Sequence, residues 1–202
     1  FAETCRVLRH WQQRFDMPLG LAVNVSIMQF REKNFVDMVS SIIRDAGVDP
    51  EGLTLELTEN LLIENIEQSI PKLARLRDAG MRISIDDFGT GYSSLNYLQH
   101  LPTDELKIDQ SFIAKVDKSE QSQAVTASII YLAKSLGLKT VAEGVETAEQ
   151  LAFLKKHQCN VYQGFLFSRP VEEKKFEAML EQQSSDSFPE RPGSAQEPTT
   201  IV

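Results

Sequence analysis

Apolar residues recur along the chain at two spacings, and each spacing predicts one kind of element. Spacings of three and four residues predict amphipathic helices, and short apolar runs alternating with polar residues predict strands. The predicted helices cover residues 2–15, the segment between Asn34 and Gly47, residues 66–79, the segment between Ser119 and Gly137, the segment after Thr147, and residues 171–180. The predicted strands cover residues 21–26, 53–58, 82–86, 105–109, 139–143 and 161–165.

Strands and helices alternate, and this order indicates a parallel sheet. The sheet is either open and doubly wound or closed into a barrel, and six units favour the barrel because a five-stranded open fold would use fewer. A (β/α)8 barrel of the TIM-like class needs about 250 residues. We therefore expect two further strands upstream of Phe1. We assign residues 1–181 to this domain and residues 182–202, which lack apolar periodicity, to a disordered C-terminal tail.

Composition and charge narrow the classes of function. No apolar run approaches the roughly 20 residues that span a bilayer, so we expect no membrane contact by this segment. The net charge of -8 argues against a nucleic-acid polymer as ligand, because such proteins usually carry a basic face. Cys5 and Cys159 show no CxxC spacing, so a disulfide framework is not indicated and a cytoplasmic location fits.

Polar side chains gather at the C-terminal ends of the predicted strands, where parallel barrels build their active sites. Successive strand residues face opposite sides, so the leucines of residues 53–58 share one face and Glu56 lies on the other, towards the barrel interior. By the same reasoning the other polar residues at this end are Asn24, Asp86, Lys107, Asp109, Glu143 and Gln163.

The set of carboxylates indicates bound cations, although any one of them alone would more often cap a helix or pair at a rim. Burying several carboxylates without matching bases is costly unless they bind metal. Oxygen donors suit Mg²⁺ or Mn²⁺, and the lack of a His or Cys cluster disfavours zinc. Adjacent Asp86 and Asp87 can bridge two cations that activate water against a phosphoester. Lys107 can neutralise phosphate charge or orient the nucleophile.

Six motifs in order resemble those of EAL-domain cyclic-di-GMP phosphodiesterases. They are Val23-Asn-Val-Ser26, Glu56-Leu-Thr-Glu59, Asp86-Asp-Phe-Gly-Thr-Gly-Tyr-Ser-Ser-Leu95, Leu106-Lys-Ile-Asp109, Glu143-Gly-Val-Glu146 and Gln163-Gly-Phe-Leu-Phe-Ser-Arg-Pro170. Phe165 stands where the family more often has Tyr. The resemblance implies a bacterial signalling enzyme that opens cyclic di-GMP to linear pGpG.

The resemblance also implies a role for each matched residue, together with two divalent cations, Mg²⁺ or Mn²⁺. The metal ligands would be Asn24, Glu56 and Asp86 for one ion and Asp86, Asp87 and Glu143 for the other. The catalytic residues would be Lys107, Glu143 and Asp87. The supporting residues would be Glu146, Gln163, Asp109 and Glu59, of which Glu59 would anchor the loop from Phe88 to Ser94.

The resemblance also bears on the oligomeric state and on further domains of the parent protein. The resemblance implies a homodimer and is compatible with an upstream sensory or GGDEF-type domain and with membrane anchoring of the parent protein through an upstream segment. The family's Glu-Ala-Leu segment, whose Glu completes the first metal site, is expected upstream of Phe1. One alternative is a catalytically inactive EAL-type receptor acting through protein partners, and another is an unrelated metal-dependent barrel enzyme.

Overall fold

A parallel sheet of six strands runs through the computed structural model, which describes residues 1–15, 18–90 and 95–185. The strands are β1 (Leu21–Asn24), β2 (Leu53–Thr58), β3 (Arg82–Phe88), β4 (Glu105–Ile108), β5 (Lys139–Ala142) and β6 (Val161–Tyr162). Each strand pairs in parallel with the next one in sequence. A doubly wound sheet would reverse its strand order at a switch point, so the described strands form an α/β half-barrel of the TIM-like class, as predicted.

Helices connect the strands and cover their outer face. They are α1 (Ala2–Arg14), α2 (Ile27–Arg31), α3 (Phe35–Ala46), α4 (Glu59–Glu64), α5 (Ile66–Asp78), α6 (Leu95–Leu98), α7 (Gln110–Ile113), α8 (Glu120–Ser135), α9 (Ala148–Lys156) and α10 (Glu173–Ser185). The six predicted helices are present. The four others have only four to six residues, which is too short for an apolar repeat to be recognised.

The core lies between the sheet and these helices, and strand parity decides which residues enter it. Leu53, Leu55 and Leu57 are fully buried on the helix-facing side of β2, as alternation predicted. Helix boundaries follow local chemistry. α3 ends at Gly47, whose φ of 62° is a left-handed conformation. The capping box of Thr147 and Gln150 starts α9 as predicted, whereas the side chain of Asn34 makes no capping hydrogen bond to α3.

β4 and β5 are each one residue shorter than predicted and β3 is two residues longer. β1 and β6 are shorter by two and three residues, because the residues that follow them enter other structures. β1 ends at Asn24 since Ser26 caps α2, with its Oγ accepting a hydrogen bond from the backbone N–H of Gln29. β6 ends at Tyr162 since the chain then turns at Gly164, whose carbonyl accepts a hydrogen bond from the N–H of Phe167. Both changes lie at the C-terminal end of the sheet.

Helix α10 packs on α1 and extends beyond the predicted domain boundary. Leu180 and Trp11 are buried in a small apolar cluster, and Glu177 joins the two helices by accepting a hydrogen bond from Trp11 Nε1 at 3.0 Å. Residues 182–185 are helical rather than part of a disordered tail, since α10 continues past its last buried apolar residue. Residues 186–202 of the predicted tail lie outside the described residues. No helix in the described ranges is long and apolar enough to cross a bilayer.

Candidate metal centre

Lys107 on β4 lies among carboxylates at the C-terminal end of the sheet. Its Nζ lies 3.0 Å from Glu56 Oε1, 3.0 Å from Asp86 Oδ1 and 2.8 Å from Glu143 Oε1. The Lys107 side chain is only 7% exposed, and the three carboxylate side chains are 11–18% exposed. The buried ammonium group of Lys107 is therefore shared by carboxylates on β2, on β3 and directly after β5.

The local sequence explains why these side chains meet. Leu106 and Ile108 are fully buried against the helices, so the residue between them, Lys107, must face the other side. Glu56 is in register with Asn24 on β1 and with Ser84 on β3. Asp86 is in register with Thr58, two residues beyond Glu56 on β2, so the polar residues come from successive positions near the C-terminal ends of the strands.

Asp86 and Asp87 occupy an irregular end of β3. The ladder to β4 shifts register between Ile85 and Phe88, and Asp87 has a φ of 54°, a left-handed conformation that is unfavourable for a residue with a side chain. The N–H of Asp87 donates a hydrogen bond to Asp86 Oδ1 at 3.0 Å. The shift brings both adjacent carboxylates to the site: Asp86, Asp87 and Glu143 each offer an oxygen, and the three oxygens lie within 4.8 Å of one another.

The centre carries more negative than positive charge. Glu56, Asp86, Asp87 and Glu143 bring four negative charges when ionised and Lys107 brings one positive charge, which leaves −3. Burial raises the pKa of Glu143 although Lys107 opposes this. Burial, followed by the charge of Asp86, raises the pKa of Asp87.

The pKa of Lys107 is raised as well, but for a lysine a raised pKa favours the charged form. Burial by itself disfavours the ammonium, but the hydrogen bonds and charges of Glu143 and Glu56 outweigh it and raise the pKa of Lys107. Lys107 is therefore firmly charged, and the excess of negative charge remains. Clustered oxygen donors with this excess fit divalent cations such as Mg²⁺ or Mn²⁺.

Two predicted residues border this group. Asn24 ends β1 with an exposed side chain beside Glu56. Glu59, the first residue of α4, is 6% exposed, and its Oε2 accepts a hydrogen bond from the N–H of Gly89 at 3.2 Å. This contact joins Glu59 to the loop that it was expected to anchor, although residues 91–94 of that loop lie outside the described residues.

Three other predicted residues are not among the ion-pair partners of Lys107. Asp109 caps α7, with its Oδ1 accepting a hydrogen bond from the N–H of Ser111 at 2.9 Å. Glu146 is exposed, and its N–H donates to Gln150 Oε1 at 2.7 Å. The N–H of Gln163 donates to the carbonyl of Ala142 on β5 at 2.8 Å. Their supporting roles stay predictions.

The sequence pattern did not predict the short helix α7, which follows β4 after Asp109, and therefore did not predict its contacts. Aspartate is a common N-cap residue, so Asp109 could have indicated that a helix starts there. The sequence pattern assigned Asp109 only to the inward face of a strand and therefore did not predict this helix start. The side chains of Gln110 and Phe112 on α7 lie against the turns that follow Glu143 and Asp87.

Comparisons with known proteins point in one direction. A family model described as "EAL domain" matches residues 1–170. The cyclic di-GMP phosphodiesterase NbdA of Pseudomonas aeruginosa is 45% identical over 185 residues, which are 92% of this chain and 24% of NbdA. The bifunctional diguanylate cyclase/cyclic di-GMP phosphodiesterase MucR of the same species is 43% identical over 169 residues, which are 84% of this chain and 25% of MucR. The chain thus spans about a quarter of the length of these curated relatives.

Solved structures that resemble this chain include complexes with cyclic di-GMP. A PaMucR phosphodiesterase in complex with c-di-GMP superimposes with a TM-score of 0.83 at 41% identity, covering 87% of this chain and 71% of that one. A manganese and cyclic di-GMP complex of Klebsiella pneumoniae BlrP1 superimposes with a TM-score of 0.76 at 32% identity, covering 85% of this chain and 43% of that one.

Proposed function

Because this chain belongs to the EAL domain family, we propose that it carries a metal-dependent phosphodiesterase centre that hydrolyses cyclic di-GMP to linear pGpG. The observation that supports this most directly is the buried Lys107, which contacts the carboxylates of Glu56, Asp86 and Glu143. Relatives named as cyclic di-GMP phosphodiesterases support the substrate.

We propose two cation positions, for Mg²⁺ or Mn²⁺. Asn24, Glu56 and Asp86 would hold one ion. Asp86, Asp87 and Glu143 would hold the other, in keeping with their clustered oxygens. Bound ions would lower the pKa of a shared water and offset the charge of the phosphodiester.

The protein's own side chains would then divide the remaining work. Lys107, fixed by three carboxylates, would hold the attacking water or a phosphate oxygen and offset developing negative charge. Glu143 has a raised pKa, which suits a carboxylate that takes a proton from the water. Glu59 would hold the turn at Gly89 in place and thereby position Asp86 and Asp87.

The wider setting of the site is also a proposal. Cys5 and Cys159 are free and buried, which fits the reducing cytoplasm. We propose a homodimer; Tyr97 on α6 and Val125 and Tyr131 on α8 are exposed apolar side chains that an interface between two copies could cover. The multidomain character of the relatives supports a sensory or GGDEF-type partner domain in the same protein.

The experiment that tests the function is hydrolysis of cyclic di-GMP by the full-length protein with Mn²⁺, with pGpG followed by chromatography. Asp86→Asn keeps the volume of the side chain but removes the charge shared by both cation positions, so turnover should fall at least about 10³-fold. Asp104→Asn is the matched control, because Asp104 is a partly buried aspartate just before β4, at the opposite end of the sheet.

The same experiment separates the enzyme from a receptor. A receptor would bind cyclic di-GMP without forming pGpG in any Mn²⁺ or Mg²⁺ concentration. Wild-type turnover by Asp86→Asn would contradict the metal assignment, whereas binding without hydrolysis by the wild-type protein would establish the receptor instead.

A further inference from the structure

Helix α7 touches two turns, each of which follows residues proposed to bind metal. The first turn contains Gly89, two residues after Asp87, and the second contains Gly144, directly after Glu143. Both glycines have a positive φ, 93° for Gly89 and 67° for Gly144. The backbone beside each ligand group is therefore in a conformation that side-chain-bearing residues rarely adopt.

Phe112 lies directly on the first turn. A methyl group on the α carbon of Gly89 would come within 2.9 Å of Cε2 and Cζ of Phe112, closer than real β carbons approach their neighbours. The ring of Phe112 is partly buried and packs on the main core. The turn after Asp87 thus rests on a rigid aromatic surface.

Gln110 lies directly on the second turn in the same way. A methyl group on Gly144 would lie 2.7 Å from the β carbon of Gln110. Gln110 and Phe112 belong to one helical turn, so a single short helix contacts the backbone beside Asp87 and the backbone beside Glu143. These ligand groups lie on β3 and directly after β5, on either side of β4.

Helix α7 is itself held in place at both ends. Asp109 caps its start through the N–H of Ser111 at 2.9 Å. Ile113 is fully buried, and Thr126 Oγ1 on α8 donates a hydrogen bond to the carbonyl of Phe112 at 3.3 Å. The surfaces that Gln110 and Phe112 offer to the two turns are consequently fixed relative to the core.

The first turn needs such support because its backbone is strained. Asp87 has a φ of 54°, and a residue with a side chain keeps a left-handed conformation only where its surroundings enforce it. The N–H and Oγ1 of Thr90 both donate to the carbonyl of Asp87, at 3.3 Å and 2.9 Å. These bonds close the turn. The ring of Phe112 lies between the backbone of Gly89 and the core, so the turn cannot move towards the core.

We propose that α7 positions the metal centre: Phe112 fixes the turn that orients Asp86 and Asp87, and Gln110 fixes the turn after Glu143. The inference rests on the proposed function, because it assigns these carboxylates as metal ligands. Phe112 and Gln110 are positioning residues, since they would act through the backbone beside the ligands, which their side chains contact at Gly89 and Gly144.

The test uses the full-length protein and measures Mn²⁺ binding by isothermal titration calorimetry in the absence of substrate. Phe112→Ala and Gln110→Gly should each weaken Mn²⁺ binding roughly 10- to 100-fold, the usual effect of losing a residue that orients metal ligands. At saturating Mn²⁺, kcat should fall while KM for cyclic di-GMP stays near the wild-type value.

Phe153→Ala is the matched control. Phe153 on α9 is also a partly buried phenylalanine packed on the main core, so its loss costs similar packing. It should lower thermal stability about as much as Phe112→Ala and leave Mn²⁺ binding unchanged. Phe112→Leu, which keeps apolar bulk under Gly89, should recover most of the Mn²⁺ affinity and also serves if Phe112→Ala fails to fold.

The outcomes separate this inference from the proposed function. If the wild-type protein binds Mn²⁺ and hydrolyses cyclic di-GMP but both α7 variants bind Mn²⁺ as tightly as it does, only the positioning role is overturned. Equal weakening by Phe153→Ala would also overturn it, because the effect would then be general packing. If the wild-type protein does neither, the proposed function and this inference fall together.

Discussion

Replacing Lys107 with alanine should destabilise the metal-free protein strongly and the Mn²⁺-bound protein weakly. Lys107 Nζ contacts three carboxylates at 2.8–3.0 Å, and its own side chain is 7% exposed. Removing one partner of a buried ion pair costs about 3–5 kcal/mol, because the remaining charges are left uncompensated. Since the carboxylates keep some exposure and can take up protons, we expect the lower end, about 3 kcal/mol.

Bound Mn²⁺ should change this cost because it supplies the missing positive charge. The free energy of unfolding of Lys107→Ala should then fall below that of the wild-type protein by only about 1 kcal/mol, a usual value for a point substitution. The assay is urea unfolding of the wild-type and variant proteins, once in chelator and once in saturating Mn²⁺. Lys134→Ala is the control, because Lys134 is an exposed lysine on α8 that donates to Gln158 and the carbonyl of His157.

Two results would refute this reasoning. One is a Lys107→Ala protein that is as stable as the wild-type protein in chelator. The other is a destabilisation of equal size in chelator and in Mn²⁺, which would mean that Lys107 and the metal ions do not balance the same carboxylates.

Two further predictions concern the loop and the pH dependence of the centre. Glu59→Ala removes the acceptor of the Gly89 N–H and should raise the Mn²⁺ concentration for half-maximal activity roughly 10-fold or more. The control is Glu64→Ala, because Glu64 is an exposed glutamate of the same helix, and this variant should leave that Mn²⁺ concentration unchanged. An equal increase in both variants would contradict the anchoring role of Glu59. Because the pKa values of Asp87 and Glu143 are raised, Mn²⁺ affinity measured by calorimetry should increase as pH rises above the ordinary carboxyl range, since protons must leave before metal binds. The metal-free protein should lose stability over that same range, since its native state still holds protons that the unfolded chain has released; pH-independent Mn²⁺ binding would show that these carboxyls are not ligands.

Sequence periodicity determined the order of the elements and the direction of the strand residues. The alternation of leucines with Glu56 in β2 and of Leu106, Lys107 and Ile108 in β4 leaves each side chain only one of two faces. Parallel strands also end at the same edge of the sheet. The convergence of Glu56, Lys107, the carboxylates of β3 and the carboxylate directly after β5 therefore followed from this alternation and from the parallel order of the strands.

Tertiary structure decided what local pattern leaves open. The left-handed backbone of Asp87 depends on a register shift between β3 and β4, and no residue near Asp87 in sequence indicates it. Lys107 meets three carboxylates from other strands, a contact set by inter-strand register rather than by its own neighbours. Helices of one turn, such as α7, are too short to show a period.

The same reason explains the contacts of α7. Phe112 and Gln110 lie against Gly89 and Gly144, which are 23 and 34 residues away in sequence. A sequence pattern records the preferences of one segment, whereas such contacts arise only when separate segments pack together. The chemistry of the centre was thus determined by sequence, and the backbone that orients it was decided by packing across the sheet.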